Sequence, residues 1–127
     1  HYRFCKYMIG FRRKHAILRK ALLRSRTGYP DMQVMGMDES SKVLRVVFAG
    51  CDEEGQEDMV CLALNVFWER QELYLPPLPT GMGWKIAADT GKEYLKAGIP
   101  EDGALPLAGN SLSMQERSLM VLVADQL

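Results

Sequence analysis

The stretch from Met59 to Leu75, MVCLALNVFWERQELYL, sets the strongest constraint on how the chain folds. Its first half alternates at period two, with Val60, Leu62, Leu64, Val66 and Trp68 on one side and Met59, Cys61, Ala63 and Phe67 on the other. A strand apolar on both sides has to be covered on both faces. After the polar turn Glu69-Arg70-Gln71, Leu73 and Leu75 alternate with Glu72 and Tyr74, as a half-buried return strand would. The pattern predicts a β-hairpin near the centre of an antiparallel sheet.

Before this stretch, Tyr2 to about Arg26 reads as one amphipathic helix. Phe4, Met8, Phe11, His15, Leu18 and Leu22 recur every three or four residues, broadened by Tyr7, Ile9 and Leu23. Gly28 and Pro30 end it. Strands are expected at Met32–Met37, Val43–Phe48, Trp84–Ala88, Ser111–Met114 and Ser118–Ala124, with Trp84, Ile86 and Ala88 on one side of theirs. Gly- and Pro-rich turns separate them, and no crossover helices intervene. The expected fold is therefore mainly β: an antiparallel β-sandwich preceded by one N-terminal amphipathic helix. Within such a sandwich one face of the central strand enters the core, and the other needs the helix, a loop or another surface to cover it.

With 127 residues the chain has room for one core. Net charge is zero but unevenly spread: residues 1–30 hold nine Lys or Arg and no acid, the remainder seven bases against sixteen acids. Nucleic-acid binding needs bases and aromatics on one exposed face. Here Phe4, Tyr7 and Phe11 belong to the apolar stripe, so the bases are expected to form a solvated or interdomain face. Neither nucleic acid nor a membrane is the expected partner. Cys5, Cys51 and Cys61 make at most one disulfide, which favours a reducing, cytoplasmic setting.

Reactive chemistry is hard to assemble from these residues. Asp52, Glu53, Glu54, Glu57 and Asp58 lack the order of a calcium loop, so no metal is expected there. His15 lies in the helical stripe, where a satisfied interfacial histidine is the expectation over a ligand or catalytic base. The serines show no nucleophile elbow, and Gly81-Met82-Gly83 is no phosphate loop. No catalytic residue and no cofactor are expected. Sugar rings can stack on aromatic side chains, which makes Trp84, Tyr74 and Trp68 the candidate carbohydrate-binding residues. Trp68 is expected to be buried; Trp84, beside the Pro/Gly loop, is the better exposed candidate, and its burial beneath that loop would favour a structural role.

The chain resembles the C-terminal region of isoamylase-type glycogen debranching enzymes of the α-amylase superfamily, glycoside hydrolase family 13. The segment FRRKHAIL, Phe11 to Leu18, is similar to the last barrel helix, and Asp38 to Phe48 to its acidic/serine turn and following strand. In LALNVFWERQELYLP, Leu62 to Pro76, residues Asn65, Phe67, Trp68, Glu69 and the Leu-Pro ending keep the family's order. Trp84, Asp89 and Thr90 resemble the next strand and turn, and Glu116-Arg117-Ser118 the approach to the closing strand. The family's tryptophan-histidine-glycine motif is matched at Gly36 alone, within Gln33–Met37.

The resemblance implies that residues 1–27 are the terminal helix of an absent (β/α)8 barrel and residues 28–127 a C-terminal β-sandwich. The parent enzyme would cleave α-1,6 branches of glycogen or starch with barrel carboxylates. The isolated chain is then expected to be no enzyme, and to support the barrel. The alternative is an α-glucan-binding module. Phe4, Met8, Phe11, His15 and Leu18 are the expected interdomain packing residues, and an excised fragment is expected to self-associate through uncovered apolar area.

Overall fold

The computed structural model describes residues 2–18, 23–36, 42–101 and 103–126. Helix α1 (Tyr2–Lys14) precedes β1 (Met32–Met35), β2 (Val43–Cys51), β3 (Glu57–Asn65), β4 (Gln71–Tyr74), β5 (Met82–Asp89), β6 (Leu105–Pro106), β7 (Ser111–Met114) and β8 (Ser118–Gln126). The strands form two antiparallel sheets, one of six strands in the order β1-β2-β3-β8-β5-β6 and one of two, β4-β7. The expected antiparallel sandwich with one leading helix is the architecture found.

Alternation along β3 explains the layering. Met59, Cys61 and Ala63 face inward with Val47 of β2, Met120 and Leu122 of β8 and Trp84 and Ile86 of β5, and meet Leu73, Leu112 and Met114 of the small sheet. Val60 and Leu62 face the other way, where Phe11 and Ile17 pack against Val60, Ala87, Ala88 and Val121. The helix thus supplies the second cover that a strand apolar on both sides requires.

The expected hairpin does not form. Although consecutive, β3 and β4 lie in different sheets: β3 pairs with β2 and β8, whereas β4 pairs with β7 from Gln71↔Met114 to Tyr74↔Ser111. Asn65 ends β3 before Val66. Its buried side chain donates to the carbonyls of Glu69 (3.1 Å) and Gln115 (3.0 Å) and accepts from Phe67 N–H (3.0 Å). These bonds hold the 66–70 turn that carries the chain between sheets.

Two other expectations shift. In β5 a bulge between Ile86 and Ala88 changes the register, so Ala88 joins the helix-facing side while Trp84 and Ile86 stay inside. Helix α1 stops at Lys14 instead of continuing to Arg26, and Ala16–Leu18 forms a 3₁₀ turn. Asp58 at the start of β3 fixes that break, bonding His15 Nδ1 through Oδ1 (2.7 Å) and accepting Ile17 N–H at Oδ2 (3.0 Å). The stripe's Leu22, the bases Arg19 and Lys20, and the turn at 38–41 lie outside the described residues.

Candidate functional site

The aromatic candidates do not share a surface. Trp84 is 1% exposed, its ring in the core and its Nε1 donating to the Pro76 carbonyl at 2.9 Å. The Pro76–Gly83 segment supplies the partner that lets the indole N–H be buried, the alternative that favours a structural role for Trp84. Trp68, expected inside, is 68% exposed because Asn65 has already turned the chain out of β3. Its ring contacts Phe67, centroids 5.4 Å apart, and the Lys42 ammonium lies 5.8 Å from the Phe67 centroid. Tyr74 is half exposed on β4, and its carbonyl accepts from Arg45 Nη1 at 2.8 Å. Trp84 is therefore removed as a stacking platform, while Trp68 and Tyr74 keep solvent-facing rings.

Phe4, Met8, Phe11 and Leu18 are seated on the outer face of this chain's own large sheet, and the Tyr7 hydroxyl donates to the Ala87 carbonyl at 2.8 Å. Burial pushes the Tyr7 phenol above its ordinary value. His15 stacks on Phe11, centroids 4.3 Å apart, while bonding Asp58. Its ring and Nδ1 are thus both engaged within this chain.

The acidic run 52–58 is tied to the basic first segment and to its own turn. Glu57 accepts from the Ser25 hydroxyl (2.7 Å) and Arg26 N–H (2.6 Å), and Asp52 Oδ1 accepts from the N–H groups of Glu54 and Gln56. No group of three or more metal-ligating side chains occurs among the described residues.

Between α1 and the β5–β8 strands lies a groove of about 840 Å³, bordered by Tyr7, Lys14, His15, Asp58, Lys85 and Asp125. Lys85 Nζ meets Asp125 Oδ2 at 3.1 Å. The Gln126 N–H first, and then Lys85, hold the Asp125 carboxyl below its ordinary value. His15 Nδ1 is committed to Asp58, and the described lining contains no Ser, Thr or Cys to receive help from a His–Asp pair. The groove therefore assembles paired charges, His15 with Asp58 and Lys85 with Asp125.

What sequence reasoning missed is the hydrogen bonding of a set of turn builders. Asp89, 1% exposed, accepts from the N–H groups of Gly91 (2.9 Å), Glu93 (3.1 Å) and Tyr94 (3.1 Å). Thr90 Oγ1 bonds both backbone groups of Leu119, donating to its carbonyl (3.2 Å) and accepting its N–H (2.8 Å). A lone Asn at the end of an apolar run and an Asp-Thr-Gly triplet were the available signals.

Comparison with known proteins finds no family model that matches this chain and no curated protein similar to it.

Proposed function

We propose that this chain is the noncatalytic C-terminal module of a glycogen- or starch-debranching type glycoside hydrolase, supporting a (β/α)8 barrel that hydrolyses α-1,6-glucosidic branches. One observation carries the reading. Among the residues that carry the resemblance to that family, Asn65, Trp84 and Asp89 are each 1% exposed or less and serve the sandwich's own turns and core. Motif residues with that role suit a module whose task is to keep its shape. The carboxylate pair of a retaining glycosidase belongs, on this reading, to the barrel. Three unpaired cysteines suit a reducing, cytoplasmic setting.

Helix α1 joins this module to the domain before it. Its one apolar stripe is already used on the sheet, leaving Arg3, Lys6, Arg12, Arg13 and Lys14 exposed around Ile9.

An antibody raised against the chain tests the proposal on the native polypeptide. The expected result is a polypeptide large enough for a barrel plus this module, whose immunoprecipitate releases linear maltooligosaccharides from branched α-glucan. A native polypeptide no larger than this chain, or a larger one without α-1,6 activity, overturns it.

Trp68, 68% exposed, favours glucan binding as a second reading, with half-exposed Tyr74 as a further ring. Titration with branched α-glucan and maltooligosaccharides, followed by tryptophan fluorescence and calorimetry, separates the two. Saturable binding lost in Trp68→Ala supports a binding module, and no binding at millimolar sugar removes that reading.

A further inference from the structure

Ahead of β1 the chain is stitched to the β2–β3 turn. Leu23 and Cys51 exchange backbone hydrogen bonds at 2.9 Å, and both oxygens of Glu57 are engaged, one by the Ser25 hydroxyl and one by the Arg26 N–H. The Arg26 side chain then lies across Gly55. Its Nη2 is 2.8 Å from where a Cβ would stand on that residue, whose φ of +84° already favours glycine. A turn with no Cβ at this point is what admits the guanidinium. The guanidinium itself meets no acceptor among the described residues, although the Glu57 carboxylate belongs to the same wall.

Two adjoining depressions open beside it. One, of about 360 Å³, is bordered by Arg26, Gln56, Glu57, Thr80, Met82 and Gln126; the other, of about 390 Å³, by Tyr29 and Pro77, and the two share Thr27 and Pro79. Each has the size of a small-molecule site. The Tyr29 hydroxyl donates to the Pro77 carbonyl at 2.7 Å, which holds the phenol beside the prolines. The groove thus sets hydroxyl and amide side chains and a guanidinium along one half, and an aromatic and two pyrrolidine rings along the other.

Such a lining selects a neutral, polyhydroxylated ligand. Gln56, Thr80 and Gln126 are exposed and offer donors and acceptors together, Arg26 only donors and Glu57 only acceptors, so hydroxyls are met in either role. Tyr29, Pro77 and Pro79 give apolar surface for the C–H face of a sugar ring. An anion drawn to Arg26 would also stand against Glu57. An apolar ligand would strip water from both charges and replace none of its hydrogen bonds.

We propose that the groove between Arg26 and Tyr29 binds a neutral oligosaccharide. Arg26 donates to adjacent hydroxyls of the chain, Glu57 accepts from another, and a sugar ring packs on Tyr29 and Pro79. Trp68 borders neither depression, so this site is separate from any stacking on that ring. That the oligosaccharide is an α-glucan rests on the module reading above; the sugar chemistry of the groove does not.

Calorimetric titration with maltoheptaose, cellopentaose and inorganic phosphate tests the proposal. Maltoheptaose is expected to bind saturably at about millimolar concentration, with the amide signals of Gln56, Thr80 and Gln126 shifting in NMR spectra and the Trp68 indole signal unmoved. Arg26→Ala removes an exposed side chain and keeps the backbone bond to Glu57, so it is expected to weaken binding about tenfold with circular dichroism unchanged. Arg26→Lys returns the charge without the fork and is expected to restore little. Binding of cellopentaose alone, lost in Arg26→Ala, supports the groove and counts against the module reading. No binding of either sugar at tens of millimolar, binding indifferent to Arg26→Ala, or phosphate bound more tightly than both sugars overturns the proposal. If the immunoprecipitated native polypeptide still releases maltooligosaccharides, that failure is the groove's alone.

Discussion

The two tryptophans occupy opposite environments although both follow strand-like apolar patterns. Trp84 sits inside β5, with its ring between the sheets and its N–H on the Pro76 carbonyl; Trp68 follows β3 by three residues and is 68% exposed. What separates them is the hydrogen bonding of their neighbours. Around Trp84 the prolines bring a carbonyl over the indole, satisfying its one polar group without water. Before Trp68, Asn65 turns its side chain to three backbone groups and stops the strand. Hydrophobic periodicity continues past Asn65, but pairing does not.

The sharpest way to break the comparison is Trp84→Ala. Removing a buried aromatic from a close-packed core costs about 3–5 kcal/mol, enough to abolish cooperative thermal unfolding in a domain of this size. Trp84→Phe keeps much of the ring and orphans the Pro76 carbonyl, with an expected loss of about 1–3 kcal/mol by denaturant titration. Trp84→Ala melting at the parent temperature would place the indole outside the core. Next comes Asn65→Ala, which removes three hydrogen bonds at a buried site and is expected to cost about 2–4 kcal/mol. A loss under about 0.5 kcal/mol would mean that Asn65 does not hold the turn between sheets.

How much of this was legible varies with the range of the interaction. The double-sided burial of Met59–Leu64, the fold class and the place of most strands follow from period-two and period-3.6 patterns, because those report the nearest layers of the core. The switch of sheets after β3 was not legible. Asn65 is joined to Gln115, fifty residues on, and β4 finds β7 instead of β3. The end of α1 was hidden for a similar reason: Asp58 lies forty-three residues from His15 and takes the backbone N–H of Ile17. For the candidate site, Trp68, expected inside, is exposed, and Trp84, the better exposed candidate of the two, is buried. Burial of a tryptophan depends on whether a carbonyl reaches its N–H, and a one-dimensional pattern does not contain that. The bonds of Thr90 likewise appear only when Leu119 is brought beside the turn, whereas those of Asp89 are local, to the N–H groups of Gly91, Glu93 and Tyr94.

Cys61 carries the comparison to pH. It lies on the same inward face as Trp84, and burial pushes its thiol from 9.0 up to about 12, the nearby Arg45 charge offsetting a little of the effect. The raised folded value means that the neutral thiol is favoured in the native state. Its stabilising effect is complete below pH 9 and is lost as pH rises toward 12, because the unfolded thiol ionises first. Each pH unit within that window is expected to remove about 1.4 kcal/mol of stability. Cys61→Ala should flatten that part of the pH profile relative to the parent chain in denaturant titrations. An unchanged slope in Cys61→Ala would assign the alkaline loss to other groups.

Trp68→Ala has the smallest expected effect on stability and is the most informative about function. An exposed ring contributes little to folding, so the change should stay within about 0.5 kcal/mol. The spectroscopic effect is larger: acrylamide quenching should fall steeply, since the remaining emission comes from Trp84, and the emission maximum should move to shorter wavelength. A substitution that destabilises the chain by about 2 kcal/mol would show Trp68 packed on Phe67 as part of the core, leaving no exposed ring for glucan. If stability holds, the ring is free for contact with something outside the chain. Aromatic exposure of this kind, beside a turn fixed at both ends by Asn65, presents a rigid side chain without cost to the fold, and sugar titration of this one variant then decides whether a glucan is what it meets.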